Sequence, residues 1–174
     1  IPYGVMKAGM LWDWVTFPEF FDSLERIPKG VNLISYVPLT PLYTWVMGWE
    51  AAKKRRPTKV ELREMCRLLN EAMDVGACGW SAQVFGPNSL QRDYDGTPMV
   101  TDLMTDEELL TFANVLAERD EGAIELSYVA GDEDTNLRVN EQIAAASGRP
   151  LLHQALTTNN HNPDMEDKIY YILN

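Results

Sequence analysis

Apolar residues along this chain recur with two periods. Leu62, Met65, Cys66, Leu69 and Met73 follow the i, i+3, i+4, i+7 spacing of an amphipathic helix. Shorter stripes of the same kind run through Phe17, Phe20, Phe21 and Leu24, and through Leu109, Ala113, Leu116 and Ala117. Leu137, Ile143 and Ala144 mark a fourth helix, and Met165, Ile169, Ile172 and Leu173 a fifth. Thr16, Thr58 and Thr105 each stand three residues before a Glu, which is the capping-box spacing. Asn162-Pro163 places a capping side chain before a first-turn proline. Gly76, Gly122 and Gly148 follow three of these helices, where a left-handed C-terminal residue is expected. Residues 43–56 read as an extra helical segment with Trp45, Val46 and Trp49 on one face.

Between the helices lie apolar or alternating runs of strand length, at 31–37, 78–85, 123–129 and 151–156. Repeated strand–helix–strand units predict a parallel sheet with right-handed crossovers. The alternation adds more. Glu125 and Ser127 oppose Ile124, Leu126 and Tyr128, and Ser81 and Gln83 oppose Trp80, Ala82 and Val84. A parallel sheet covered by helices on both faces is apolar on both. One polar face favours an α/β fold of the (β/α)8 TIM type, polar inside near its mouth. The alternative is a doubly wound sheet with a few hydrogen-bonded interior polar groups. Four strand–helix units do not close an eight-stranded barrel, which takes roughly 250 residues. Residues 1–174 therefore read as the central portion of a barrel, with no separate domain resolved.

Composition narrows the class. The chain has 174 residues, 45% of them hydrophobic, enough for a core and against disorder. Its net charge of −11 disfavours a nucleic-acid binder or an anionic-membrane ligand. Cys66 and Cys78 are too few for a disulfide scaffold. No apolar run approaches the roughly 20 residues of a membrane span. The start, Ile1-Pro2-Tyr3-Gly4, lacks an initiator Met and a signal-peptide pattern, and reads as a cut from a longer, cytoplasmic protein. Open sheet edges in such a piece predict association with the remainder of its chain or a partner subunit, in an oligomer.

Several segments occur in a telling order. Gly30-Val31-Asn32-Leu33 precedes Val46-Met47-Gly48, then a helix running into Gly76-Ala77-Cys78-Gly79-Trp80-Ser81. Asp93-Tyr94-Asp95-Gly96-Thr97-Pro98-Met99 and Glu107-Glu108-Leu109 follow. This set resembles the N-acyl-D-amino-acid deacylase (D-aminoacylase) branch of the amidohydrolase superfamily, over most of the first 120 residues. The resemblance implies a hydrolase of N-acyl or cyclic amide bonds in small molecules. It also implies a divalent metal, usually zinc, whose bound water attacks the carbonyl. There are departures. The opening His-x-His and closing Asp of that family fall outside these residues. Where its fifth strand carries His-x-Arg, this chain has Glu125-Leu126-Ser127-Tyr128.

Against that background His153, in Leu152-His153-Gln154, is the metal-ligand candidate, or else an interior imidazole satisfied by hydrogen bonds. Glu125 is the catalytic candidate, as oxygen ligand or general base, with an outward salt-bridged Glu as the alternative. The loop 86–96 follows a strand's C-terminal end, where barrel substrates bind. In it Arg92 suits a substrate carboxylate, and Asn88 or Gln91 an amide. The plain alternative there is a structured turn with Arg92 paired to an Asp. His161 reads as a loop residue, Asp132-Glu133-Asp134 as helix capping, Cys66 as core, and Lys53-Lys54-Arg55-Arg56 as a solvated helix end. A non-catalytic portion of a larger assembly, or a small doubly wound binding domain, is the competing functional expectation.

Overall fold

A computed structural model describes residues 3–129 and 133–153. Two helices open it, α1 (Tyr3–Gly9) and α2 (Phe17–Arg26). A short strand β1 (Val37–Pro38) leads into α3 (Leu39–Met47), α4 (Trp49–Lys54) and α5 (Lys59–Asp74). Then come β2 (Gly79–Val84), a 3-10 turn (Val100–Leu103), α6 (Asp106–Arg119), β3 (Ala123–Tyr128), α7 (Glu133–Ser147) and β4 (Leu151–His153). The four strands form one all-parallel sheet in the order β1-β2-β3-β4. The protein is therefore α/β, with helices flanking a parallel sheet.

The three capping boxes form as spaced. Thr16, Thr58 and Thr105 accept from the amides of Glu19, Glu61 and Glu108, and each Glu reaches back to its cap. The expected glycine stop after α6 is corrected, because Asp120 takes the left-handed cap at φ 51°. Gly122 instead allows close approach. A Cβ there would meet Met73 Cε at 2.9 Å. The segment 43–56 forms as two helices, broken at Gly48, whose φ of 77° and ψ of 148° suit glycine alone.

Strand β1 is much shorter than the run 31–37. It pairs with β2 only as Val37↔Trp80 and Pro38↔Ser81, and Pro38 has no amide to donate. One further bond, from the Cys78 amide to the Ser35 carbonyl at 3.0 Å, precedes it. Among the described residues β1 has no partner on its other side. Val31 and Ile34 are accordingly 72% and 77% exposed.

Sequential parallel strands joined by right-handed crossovers put α5, α6 and α7 on one face of the sheet. That face carries Trp80, Val84, Ile124 and Leu126, all fully buried. They meet Met65 and Leu69 of α5, Leu109, Phe112 and Leu116 of α6, and Ile143 of α7. The Phe112 ring lies 6.4 Å from Trp80 and 6.1 Å from Tyr43, centroid to centroid. The other face shows Ser81, Gln83, Glu125 and Ser127 in register, Ser81 beside Glu125 and Gln83 beside Ser127. The polar alternation of the sequence is thus real in three dimensions. The fifth stripe, from Met165 to Leu173, lies outside the described residues, as do His161, Asp132 and the strand residues beyond His153.

Candidate functional site

All strands point the same way, so the segments after β1 and β2 gather at one edge of the sheet. The long connection after β2 is closed by one carboxylate. Asp102, 2% exposed, accepts from the amides of Phe85 at 2.9 Å and Met99 at 3.0 Å, and from Gln83 Nε2 at 3.2 Å. Both ends of the loop are tied to the same side chain. The three donors satisfy the oxygens of this buried carboxyl group.

Within the loop, Asp93 to Pro98 folds into a tight turn. The Asp93 amide donates to Thr97 O at 2.8 Å, and Gly96 N to Asp93 O at 2.9 Å. Asp95 Oδ1 accepts from the Thr97 amide and hydroxyl at 2.9 and 2.7 Å. Those bonds hold the Asp95 carboxyl below its ordinary pKa. Lys53 of α4 grips this turn from below. Its ammonium lies 2.9 Å from Asp93 Oδ2, 2.9 Å from Thr97 Oγ1 and 2.5 Å from Pro98 O. It also sits 4.7 Å from the centre of the Trp49 ring, which stacks on Tyr94 at 5.1 Å.

The substrate-binding candidates lie on this loop and are exposed: Asn88, Gln91 and Arg92. The Arg92 guanidinium donates to Pro87 O at 3.3 Å. The expected pairing of Arg92 with an Asp is not what forms, because Asp93 turns to Lys53. The basic run is a solvated helix end only at Lys54 and Arg55. Arg56 pairs with buried Glu108, Arg55 forks onto Glu61 at 2.7 and 2.8 Å, and Lys53 is 10% exposed. Lys54, held by Glu50 at 2.6 Å, and the exposed Arg55 fit the plain reading, while Lys53 and Arg56 do not.

Glu125 and His153 do not converge. Glu125 pairs in register with Ser81 and Leu152, on the polar face. His153 pairs with Leu126, which puts it on the opposite, helix-packed face. His153 is exposed at the sheet edge, yet the protein around its ring lowers its pKa below the ordinary 6.5 by desolvation. Among the described residues no three His, Cys, Asp or Glu side chains group as a metal site. Burial pushes the Cys66 thiol up to about 11, and burial, then the Glu125 charge, raises Cys78. Both are the wrong direction for a nucleophile.

Sequence reasoning passed over Lys53 and Asp102. A signal existed for Lys53: Trp49 and Lys53 are four apart on one helix, the spacing for a cation–π contact. A separate apolar groove of about 520 Å³ opens beside β1, lined by Trp14, Phe17, Phe20, Val37, Leu42 and Trp45 among others. It shares no lining residue with the Arg92 loop.

Comparison with known proteins is sparse. No protein-family profile matches the chain, and no solved structure does. The chain is 33% identical over 82 residues to uncharacterized proteins Rv2913c of Mycobacterium tuberculosis and Mb2937c of Mycobacterium bovis. That stretch covers 46% of this chain and 13% of each relative's length. Among the described residues, no helix is long and apolar enough to cross a membrane.

Proposed function

We propose that this chain is a central arc of a (β/α)8 barrel whose mouth hydrolyses N-acyl or cyclic amide bonds of small molecules, in the manner of the D-aminoacylase branch. One observation carries the reading. The strands run in unbroken order 1-2-3-4 with one polar face and one helix-packed face. A doubly wound sheet reverses its strand order at a switch point, and the described strands contain no such reversal. A barrel needs this order and this division of faces. The missing strands then come from the remainder of the chain or from a partner subunit, along the β1 and β4 edges.

In this reading the polar face is barrel interior. Glu125, flanked by Ser81 on β2, serves as a general base or an oxygen ligand. Arg92 takes the substrate carboxylate as a bidentate fork, and Asn88 and Gln91 orient the amide. Zinc belongs to the proposal through the resemblance alone. The described residues do not by themselves fit a metal, since no three ligating side chains group. The two unpaired cysteines suit a reducing, cytoplasmic setting.

The test is hydrolysis of N-acetyl amino acids of both hands, and of cyclic amides, by the intact gene product, with metal analysis of the same preparation. The expected result is turnover that Glu125→Gln lowers by about 100-fold or more while circular dichroism is unchanged. Absence of turnover with every such substrate overturns the reading. The competing reading, a non-catalytic part of a larger assembly, draws on the failure of Glu125 and His153 to share a face. It predicts that the same preparation binds such compounds or a partner chain without cleaving them.

A further inference from the structure

Arg92 has two acids close by in sequence, Asp93 and Asp95, and pairs with neither. Elsewhere in the described residues Arg26, Arg55, Arg56, Arg67, Arg119 and Arg149 each hold an Asp or Glu, whereas Arg63 on the outer face of α5 holds none. The difference at Arg92 has a visible cause. Asp93 is drawn inward to Lys53, where the two side chains are 10% and 15% exposed. The ammonium donates to Thr97 and Pro98 and ion-pairs with Asp93. Asp95 lies 3.9 Å from the same nitrogen and accepts from Thr97. Arg92 itself is bracketed by these contacts, since its backbone bridges antiparallel to Pro98.

We propose that Lys53 is a positioning residue for a carboxylate-binding site at Arg92. By holding Asp93, it leaves the guanidinium fork open to the carboxylate of an N-acylated amino acid. The inference rests on the substrate-binding role given to Arg92 above and extends it to a residue that touches no substrate. Without the Lys53 charge, Asp93 is the nearest anion to Arg92 in sequence, and it competes with the ligand for the same donors. A rotating exposed carboxylate competes weakly, so the effect is a change of affinity rather than its abolition.

The experiment uses the full chain and N-acetylglycine as probe, with neutral N-acetylglycinamide as the control. The Arg92 Nε–H resonance, assigned with Arg92→Lys, reports binding, and amide exchange at Asp93 and Gly96 reports the turn. The wild type is expected to titrate with N-acetylglycine and not with the amide. Lys53→Met is expected to bind about fivefold more weakly, with faster exchange in the turn. The double variant K53M/D93N should recover the affinity while its turn still exchanges fast, which a purely structural role for Lys53 does not produce. Equal affinity in K53M, or no recovery in the double variant, overturns the inference and leaves the role of Arg92 standing. No titration in the wild type removes both. Lys53→Gln keeps hydrogen bonding without charge, and carries the same expectations if K53M does not fold.

Discussion

The Asp102 carboxylate and the Phe85 amide meet at 2.9 Å, and Met99, at the far end of the same loop, donates to Asp102 at 3.0 Å. The loop that presents Asn88, Gln91 and Arg92 is thus a closed ring, fastened at its base by Asp102 and at its tip by Lys53.

Asp102→Ala leaves two backbone amides and the Gln83 amide without their acceptor. Each buried unsatisfied group costs about 1–3 kcal/mol. The expected loss is about 2–4 kcal/mol in urea unfolding, with faster amide exchange at Phe85 and Met99. A variant of wild-type stability would mean that water replaces the carboxylate without cost.

Gly79 has φ 132°, and a Cβ there would meet the Ala123 carbonyl oxygen at 1.8 Å. That oxygen is backbone of the neighbouring strand and cannot swing aside. Gly79→Ala should force β2 and β3 apart and cost about 4 kcal/mol or more, at the severe end for single substitutions. Expression of soluble protein and its unfolding midpoint give the answer.

Phe112 is fully buried between the Trp80 and Tyr43 rings. Truncation to Ala removes the centre of the helix-to-sheet layer and should cost about 3–5 kcal/mol. Phe112→Leu keeps most of the volume and should cost well under half as much. If the two variants unfolded alike, Phe112 would not be the packing centre.

Glu61 has a pKa pulled down from 4.5 to about 2, first by the Arg55 fork and then by the Thr58 amide. A carboxylate with a depressed folded-state pKa stabilises the fold above its unfolded value. That contribution is lost as pH falls through the folded value. The stability gap between wild type and Glu61→Gln should be full at pH 6 and vanish between about pH 4.5 and pH 2. Urea midpoints across that range measure it. A gap constant down to pH 2 would mean that the Arg55 fork does not form.

The candidate loop was legible as a location and not as a mechanism. Its place after a strand's C-terminal end followed from the 78–85 run, and Arg92 and Gln91 are exposed there. The partner of Asp93 was not legible, because Lys53 lies on another element and reaches the turn only once α4 packs beside it. The basic run misled for the same reason. Four adjacent cations look alike in sequence, yet Arg56 finds Glu108 on α6 while Lys54 stays on its own helix.

Sequence alone determined what is settled within a turn or two of chain. The three T-x-x-E boxes close over three residues, and the alternation of Ile124, Glu125 and Leu126 is inherent in an extended backbone. Tertiary structure decided whatever depends on a second strand or helix. The pairing of Val37 with Trp80 determined how little of the 31–37 run becomes strand. The register of Leu126 against His153 turned that imidazole to the face opposite Glu125. Local hydrogen bonds have their partners at fixed sequence offsets, whereas register and packing couple residues whose separation in sequence carries no information about their distance.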